Sequence, residues 1–241
     1  MEKNNFTIPA AIIVAGALIA GALFITRGGT AAAKKDNTQD VGQPNLEDIV
    51  LRPVDDKDHI YGDPNAPVKI VEYSDTECPF CKSFQPTMQQ IMNDYGKDGK
   101  VAWVYRHFPL YKGQSPLHPK AEKEAEATEC VNELGGADKF WQYLNKIYEI
   151  TPSNNGLDPA KLPELAVQLG INQKDFESCL NSGRYTQKIS DSYDEALAAG
   201  ANGTPYSVAV TKDGKKVPIS GAQPYQAVKA VIDTLLKENQ S

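Results

Sequence analysis

The spacing of apolar and polar positions changes several times along this chain, and each change marks an element. Val68, Ile70, Val71 and Tyr73 make a short apolar, β-branched run that predicts a buried strand. A polar turn follows, and Cys78-Pro79-Phe80-Cys81 opens a helical pattern that continues to about Tyr95. Gly96 and Gly99 end that helix, and Val101-Ala102-Trp103-Val104-Tyr105 predicts a second strand. Two strands joined by a helix read as a βαβ unit.

From about residue 116 to residue 199 the period is helical. Ala127, Cys130, Val131 and Leu134 fall on one face, as do Phe140, Trp141, Leu144, Ile147 and Tyr148 in the next segment. Pro163 starts a third helix, with Leu165, Ala166 and Leu169 inward and Gly170 at its end. Asn172 is placed to cap a fourth, in which Phe176, Cys179 and Leu180 share a face, and a fifth runs to Gly200. The chain then returns to period two. Tyr206 to Thr211 and Lys216 to Ile219 predict strands joined at Asp213-Gly214, a strong hairpin signal, and a helix over Tyr225 to Lys237 follows.

The N-terminal part has a different texture. Ile8 to Ile25 is an uncharged apolar run, about long enough to cross a hydrocarbon core and long for a signal-peptide core. Residues 1–27 are read as an uncleaved membrane anchor; a signal peptide cleaved near Thr30-Ala31-Ala32-Ala33 is the alternative. Residues 28–58, mixing Gly, Ala, Lys, Asp, Asn and Gln, read as a flexible tether, although Leu46 to Leu51 can also pack on the domain. Residues 59–241 remain as the folded domain.

With 241 residues, 41% hydrophobic and 23% charged, the chain can bury one good core. A formal net charge of −6 and a pI of about 5.2, without a basic stripe in the globular part, argue against a nucleic-acid partner. Lys3 before the apolar run against Arg27, Lys34 and Lys35 after it favours a cytoplasmic domain by charge alone. Four cysteines in two possible pairs favour an oxidising compartment, and this weighs more than a small charge difference.

The chemistry sits at Cys78 and Cys81, where a strand hands over to a helix. Free N–H groups and the positive end of the helix dipole stabilise an anion there, so Cys78 should ionise more readily than an ordinary thiol. Cys81, one turn on, faces inward and lies within reach for a disulfide, and Pro79 suits the first helical turn. Such a dithiol can cycle between thiolate and disulfide. Cys130 and Cys179 are read as a second, structural disulfide, with two buried free thiols as the alternative. A four-cysteine zinc site normally needs two C-x-x-C knuckles; one is present, so no metal site is read, and no cofactor. His107 and His118 read as structural hydrogen-bonding residues, His59 is assigned nothing, and Trp103 and Trp141 read as packing.

The strand leading to C-P-F-C, Gly62-Asp63-Pro64 before it, Arg106-His107-Phe108-Pro109-Leu110, Phe140-Trp141 and Gly203-Thr204-Pro205 together resemble the DsbA-like branch of the thioredoxin fold, in its membrane-anchored bacterial and archaeal form. The resemblance covers about Gly62 through Gly221 and implies an α/β thioredoxin-like fold with a helical insertion over about 116–199. It implies a thiol:disulfide oxidoreductase in which Cys78 is the nucleophile and Cys81 the buried resolving cysteine. It also implies a cis bond at Thr204-Pro205, with the Thr204 backbone pairing to an extended substrate. Glu72 corresponds to the buried acid that can move a proton at Cys81; otherwise it is a charge at a strand edge. The implied substrates are cysteine-containing unfolded polypeptides, and the implied reoxidising partner is a quinone-linked membrane oxidase of the DsbB or vitamin-K-epoxide-reductase type.

The expected activity is therefore an extracytoplasmic oxidase that gives its Cys78–Cys81 disulfide to secreted or membrane polypeptides. A reductase or isomerase of the same fold, and a non-catalytic chaperone module binding through Thr204-Pro205, are the alternatives. The intact C-P-F-C argues against the module. Pro79-Phe80 lacks the imidazole that some strong oxidases carry between their cysteines, which leaves the oxidising power open.

Overall fold

The computed structural model of the chain describes residues 49–114 and 116–238. The apolar run Ile8 to Ile25, the residues read as a cleavage site and the tether up to residue 48 lie outside the described residues. Among the described residues no helix is long and apolar enough to cross a membrane.

Five strands form a mixed sheet: β1 (His59–Tyr61), β2 (Val68–Ser74), β3 (Val101–His107), β4 (Tyr206–Thr211) and β5 (Lys216–Ser220), in the spatial order β1-β3-β2-β4-β5. β2 and β3 run parallel, with Val71 opposite Val104, and are connected through α1 (Pro79–Ile91) and a π-helical turn, Met92–Gly96. All other neighbours are antiparallel. The central strands carry apolar residues on both faces, as strands covered by helices on both sides must.

Period two decides what each face meets. Val68, Ile70, Val101, Trp103 and Tyr105 pack with Cys81, Phe84, Met88 and Ile91 of α1, with α3 (Ala137–Ile150), and with Val228, Ile232 and Leu235 of α7 (Tyr225–Glu238). Glu72 continues the Val68, Ile70 row, so it points to the α1 side. Val71, Tyr73 and Val104 face the other way, against Phe108, Val208 and Ala196 of α6 (Thr186–Ala198).

The helical insertion comprises α2 (Ala121–Gly135), α3, α4 (Lys161–Gln168), α5 (Gln173–Ser182) and α6. It builds a core of its own from Ala127, Cys130, Val131, Tyr143, Ile147, Leu165, Phe176 and Cys179. The Asn172 side chain caps α5 by accepting from the N–H groups of Lys174 and Asp175, which satisfies two otherwise unpaired donors. Leu134, expected on the inner face of α2, is exposed in its last turn.

Three further features depart from the sequence reading. β1 is an additional strand, too short for its alternation to show; His59 pairs with Tyr105 across it. The helix from Cys78 does not run unbroken to Tyr95 but gives way to the π-helical turn at Met92. The last ten residues of the stretch read as tether, 49–58, pack on the domain. Ile49 is buried among Val71 and Tyr206, with Leu51 and Val54 against the same cluster. Charge pairing explains why so polar a segment is held. Arg106 donates to both Asp58 carboxylate oxygens at 2.8 and 3.0 Å, and Arg52 donates to Asp58 at 2.7 Å and to Glu195 at 3.1 Å. A bidentate buried pair fixes both partners far more firmly than an exposed one.

Candidate active site

The site grows from the C-terminal end of β2. Asp75 begins the turn, and its carboxylate accepts from Glu77 N–H at 2.8 Å, from Leu110 N–H at 2.8 Å and contacts His118 Nδ1 at 2.8 Å. One side chain thereby joins the turn before Cys78 to the loop after β3 and to the approach to α2. The Asp75 carbonyl accepts from Cys78 N–H at 3.1 Å. Cys78 is the extended residue that caps α1, and Pro79, which has no N–H to satisfy, is the first helical residue. Phe80 projects outward, 64% exposed, while Cys78 and Cys81 are 4% and 1% exposed.

Both thiols are free, and their surroundings split them. A hydrogen bond from Cys81 is the largest influence on Cys78. Together with Thr204 and the backbone N–H groups of Phe80 and Cys81, it outweighs burial and pulls the thiol down to about 6. Cys81 moves the opposite way, pushed well up by burial, by Cys78 and by the charge of Glu72. The pair therefore divides into an ionisable outer sulfur and a protonated inner one. Thr204 approaches from the far end of the insertion, its carbonyl 3.4 Å from Cys78 Sγ, and the Thr204–Pro205 peptide bond is cis.

Glu72 lies beneath the pair, 1% exposed, and accepts from Trp103 Nε1 at 2.8 Å. Burial raises its carboxyl to about 7, against the opposing hydrogen bonds from Ser74 and Trp103. An acid that titrates near neutrality beside a buried thiol can take or give a proton there. Ser74 Oγ is 2.9 Å from the Tyr148 hydroxyl, which lies 3.4 Å from that of Tyr105, so hydroxyl groups line the floor of the site.

Three polar residues of the site carry no role in the sequence reading, and a fourth, His118, has a larger one than was read. Asp75 and Glu77 read only as a polar turn, and Glu124 carries no reading from the sequence. His118 was read as structural, and its bond to Asp75 raises its pKa, with the charges of Cys78 and Glu77 adding to the effect. Imidazolium and thiolate favour each other, so a histidine does sit near the site, although none lies between the cysteines. Glu77 is fully buried with neither carboxylate oxygen hydrogen-bonded, and burial together with Glu77 pushes Glu124 up to about 9. The only signal available in the sequence was the density of acids around Cys78, which alternation alone cannot resolve.

Cys130 and Cys179 are bonded to each other, joining α2 to α5 across the core of the insertion. His107 and His59 are buried, and each contacts Glu129 of α2.

A family model described as thioredoxin matches residues 55–234. The fold is similar to the crystal structure of Pseudomonas aeruginosa DsbA2, at 29% identity and a TM-score of 0.62, covering 74% of this chain and 94% of that one. Oxidised BdbD from Bacillus subtilis shares the fold at 22% identity and a TM-score of 0.66, covering 78% of this chain and 98% of that one. Among curated proteins, the Na(+)/H(+) antiporter NhaA 1 of Mycolicibacterium gilvum is 32% identical over 159 residues, 65% of this chain and 24% of that protein. NhaA 3 of Salinispora tropica is 34% identical over 157 residues, 65% and 22% of the two chains. The chain thus spans about a quarter of the length of the curated relatives it matches, so their names describe proteins that are mostly something else. The matched family, the DsbA-type neighbours and the split dithiol on the first turn of α1 agree: the chain belongs to the thioredoxin family and has a DsbA-like fold.

Proposed function

We propose that this protein is an extracytoplasmic oxidase that transfers the Cys78–Cys81 disulfide to cysteine-containing unfolded polypeptides. The observation that carries this reading is the stabilised Cys78 thiolate: whatever favours the reduced form makes the disulfide a stronger oxidant. A substrate thiolate attacks Cys78 Sγ, the Cys78–Cys81 bond breaks, and Cys81 leaves as a thiolate that takes up a proton, for which Glu72 is the nearby donor. A second substrate thiolate attacks the substrate sulfur of the mixed disulfide and expels Cys78 as a thiolate. Two electrons pass to the enzyme, and the substrate gains one disulfide.

In this scheme the low pKa of Cys78 makes it a good leaving group, and Thr204, beside Cys78, presents backbone to which an extended substrate can pair. Phe80 gives the approaching chain an exposed apolar contact. The reduced pair needs an electron acceptor, a quinone-linked membrane oxidase of the DsbB or vitamin-K-epoxide-reductase type. Residues 8–25 anchor the chain, with the catalytic domain outside the cytoplasm, where the Cys130–Cys179 disulfide persists.

The test is the equilibrium reduction potential of Cys78/Cys81 against glutathione, with Cys130→Ser/Cys179→Ser as control. The expected value lies closer to the DsbA end of the range, about −120 mV, than to the thioredoxin end, about −270 mV. A value at the thioredoxin end replaces the oxidase with a reductase.

A further inference from the structure

Where β1, β3 and α2 meet, three buried side chains from three elements converge. His59 of β1 is 5% exposed, His107 at the end of β3 is 3% exposed, and Glu129 of α2 is 1% exposed. Glu129 Oε1 lies 2.8 Å from His59 Nε2 and 3.1 Å from His107 Nε2, and the three atoms are all within 4.8 Å of one another. We propose that His59 Nε2, His107 Nε2 and Glu129 Oε1 bind a divalent first-row transition ion of the zinc class, with a fourth position left to water.

Four ligands at about 2.0–2.1 Å in a tetrahedron are spaced about 3.3 Å apart, so the two Glu129 contacts need to open by about half an ångström or less, while the two imidazole nitrogens, within 4.8 Å of each other, adjust to the same spacing. The rings are held for it. His59 stacks on Phe140 with centroids 3.6 Å apart, and His107 meets Tyr105 edge-on at 5.3 Å. Rings fixed by aromatic packing lose little freedom when they take a ligand. A hydrogen-bonded cluster without metal is the simpler account, but Lys188 already supplies a counter-charge to Glu129, donating to Oε2 at 2.7 Å. The two imidazoles are not needed for neutrality. Because Lys188 uses Oε2, Glu129 can coordinate through Oε1 alone and keep that ion pair.

Two imidazoles and one carboxylate suit zinc, cobalt, nickel or copper, whereas calcium and magnesium prefer oxygen ligands only. A cavity of about 400 Å³ opens beside the cluster, lined also by Asp191 and Ser192, and gives room for a bound water. An ion here would tie β1, β3 and α2 together, and with them the insertion to the sheet.

The test uses the full, untagged chain with Cys78–Cys81 oxidised, so that no thiolate competes. Titration with Zn²⁺ should give one ion per chain and a higher Tm, and the Cu²⁺-loaded chain should show two imidazole nitrogens by pulsed electron paramagnetic resonance. The chain has three histidines, and the third, His118, is engaged by Asp75. His59→Gln and Glu129→Gln should each weaken Zn²⁺ binding by more than about 100-fold, beyond the 10- to 100-fold cost of losing a supporting group. Absence of stoichiometric Zn²⁺ binding, fewer than two imidazoles on Cu²⁺, or unchanged affinity in a folded variant would overturn the proposal. The resonance measurement is made on the unsubstituted chain, so it decides the matter even where a variant does not fold.

Discussion

Cys78 and Cys81 have the same side chain as Cys130 and Cys179, yet the fold sends the two pairs to different chemistry. The first pair shares one turn of helix at a helix start, with backbone N–H groups on one sulfur and a buried carboxyl near the other. The second spans two helices, with Cα atoms 5.8 Å apart, inside an apolar core that offers neither sulfur a stabilised charge. A disulfide beside groups that stabilise its reduced form is poised to exchange, and one surrounded by apolar packing is poised to persist. What separates an exchanging bond from a structural one is therefore the environment of the thiolate.

That contrast can be broken most directly at the nucleophile. Cys78→Ser should abolish exchange with a model dithiol peptide, a loss of at least about 1000-fold, because a hydroxyl cannot form the mixed disulfide. Residual exchange at the parental rate would move the chemistry elsewhere. The complementary change, Cys130→Ser/Cys179→Ser, should leave the potential of Cys78/Cys81 in place. It should reduce stability by about 4 kcal/mol on a chain-entropy reckoning for a separation of 49 residues, measured by urea unfolding. A shift in the potential would show that the pairs are coupled.

A smaller effect is expected at Glu72. Its folded-state pKa, about 7, lies above the unfolded value, so the folded chain holds an extra proton between about pH 4.5 and 7. Stability should therefore fall as pH rises through that window, by on the order of 3 kcal/mol in total. Glu72→Gln should flatten this slope and slow proton-linked steps at Cys81 by about 10- to 100-fold. A variant with the parental pH dependence would remove Glu72 from the site's proton chemistry.

The finest test concerns Cys78 alone. Its alkylation rate in the reduced chain should follow a thiolate titrating near pH 6, and be lost below that. The folded pKa is depressed, so the thiolate's contribution to the stability of the reduced chain is complete above the unfolded value of about 8.5 and is lost as pH falls to about 6. A titration in the ordinary thiol range would leave the two pairs distinguished by access alone.

Much of this could be read beforehand because it rests on local physics. Alternation at Val68 to Tyr73 marked a strand, and C-P-F-C after it marked a helix start with a thiol at its cap. Helical period placed Cys130 and Cys179 on inward faces. Harder to read was whatever depends on partners far apart in the chain. Arg106 meets Asp58 across 48 residues and Glu195 across 89, and that pairing turned the end of a polar stretch from tether into part of the domain. β1, three residues long, has no period of its own and exists because the edge of β3 offers it hydrogen bonds.

The acids around Cys78 show the same division. Composition displayed them, but which were buried, and that Glu124 and His118 are both pushed up, followed from Asp75, Glu77, Glu124 and His118 meeting in space. The sequence by itself determined the order of β2 to β5 and the main helices, the reactive dithiol and the α/β class, because period, capping and the helix dipole act within a few residues. Only the tertiary structure decided that Glu72 titrates near neutrality, that Cys130 bonds Cys179, and that His59 and His107 share one carboxylate oxygen. Burial and Coulomb interactions act through space, and space is assigned only when the chain has folded.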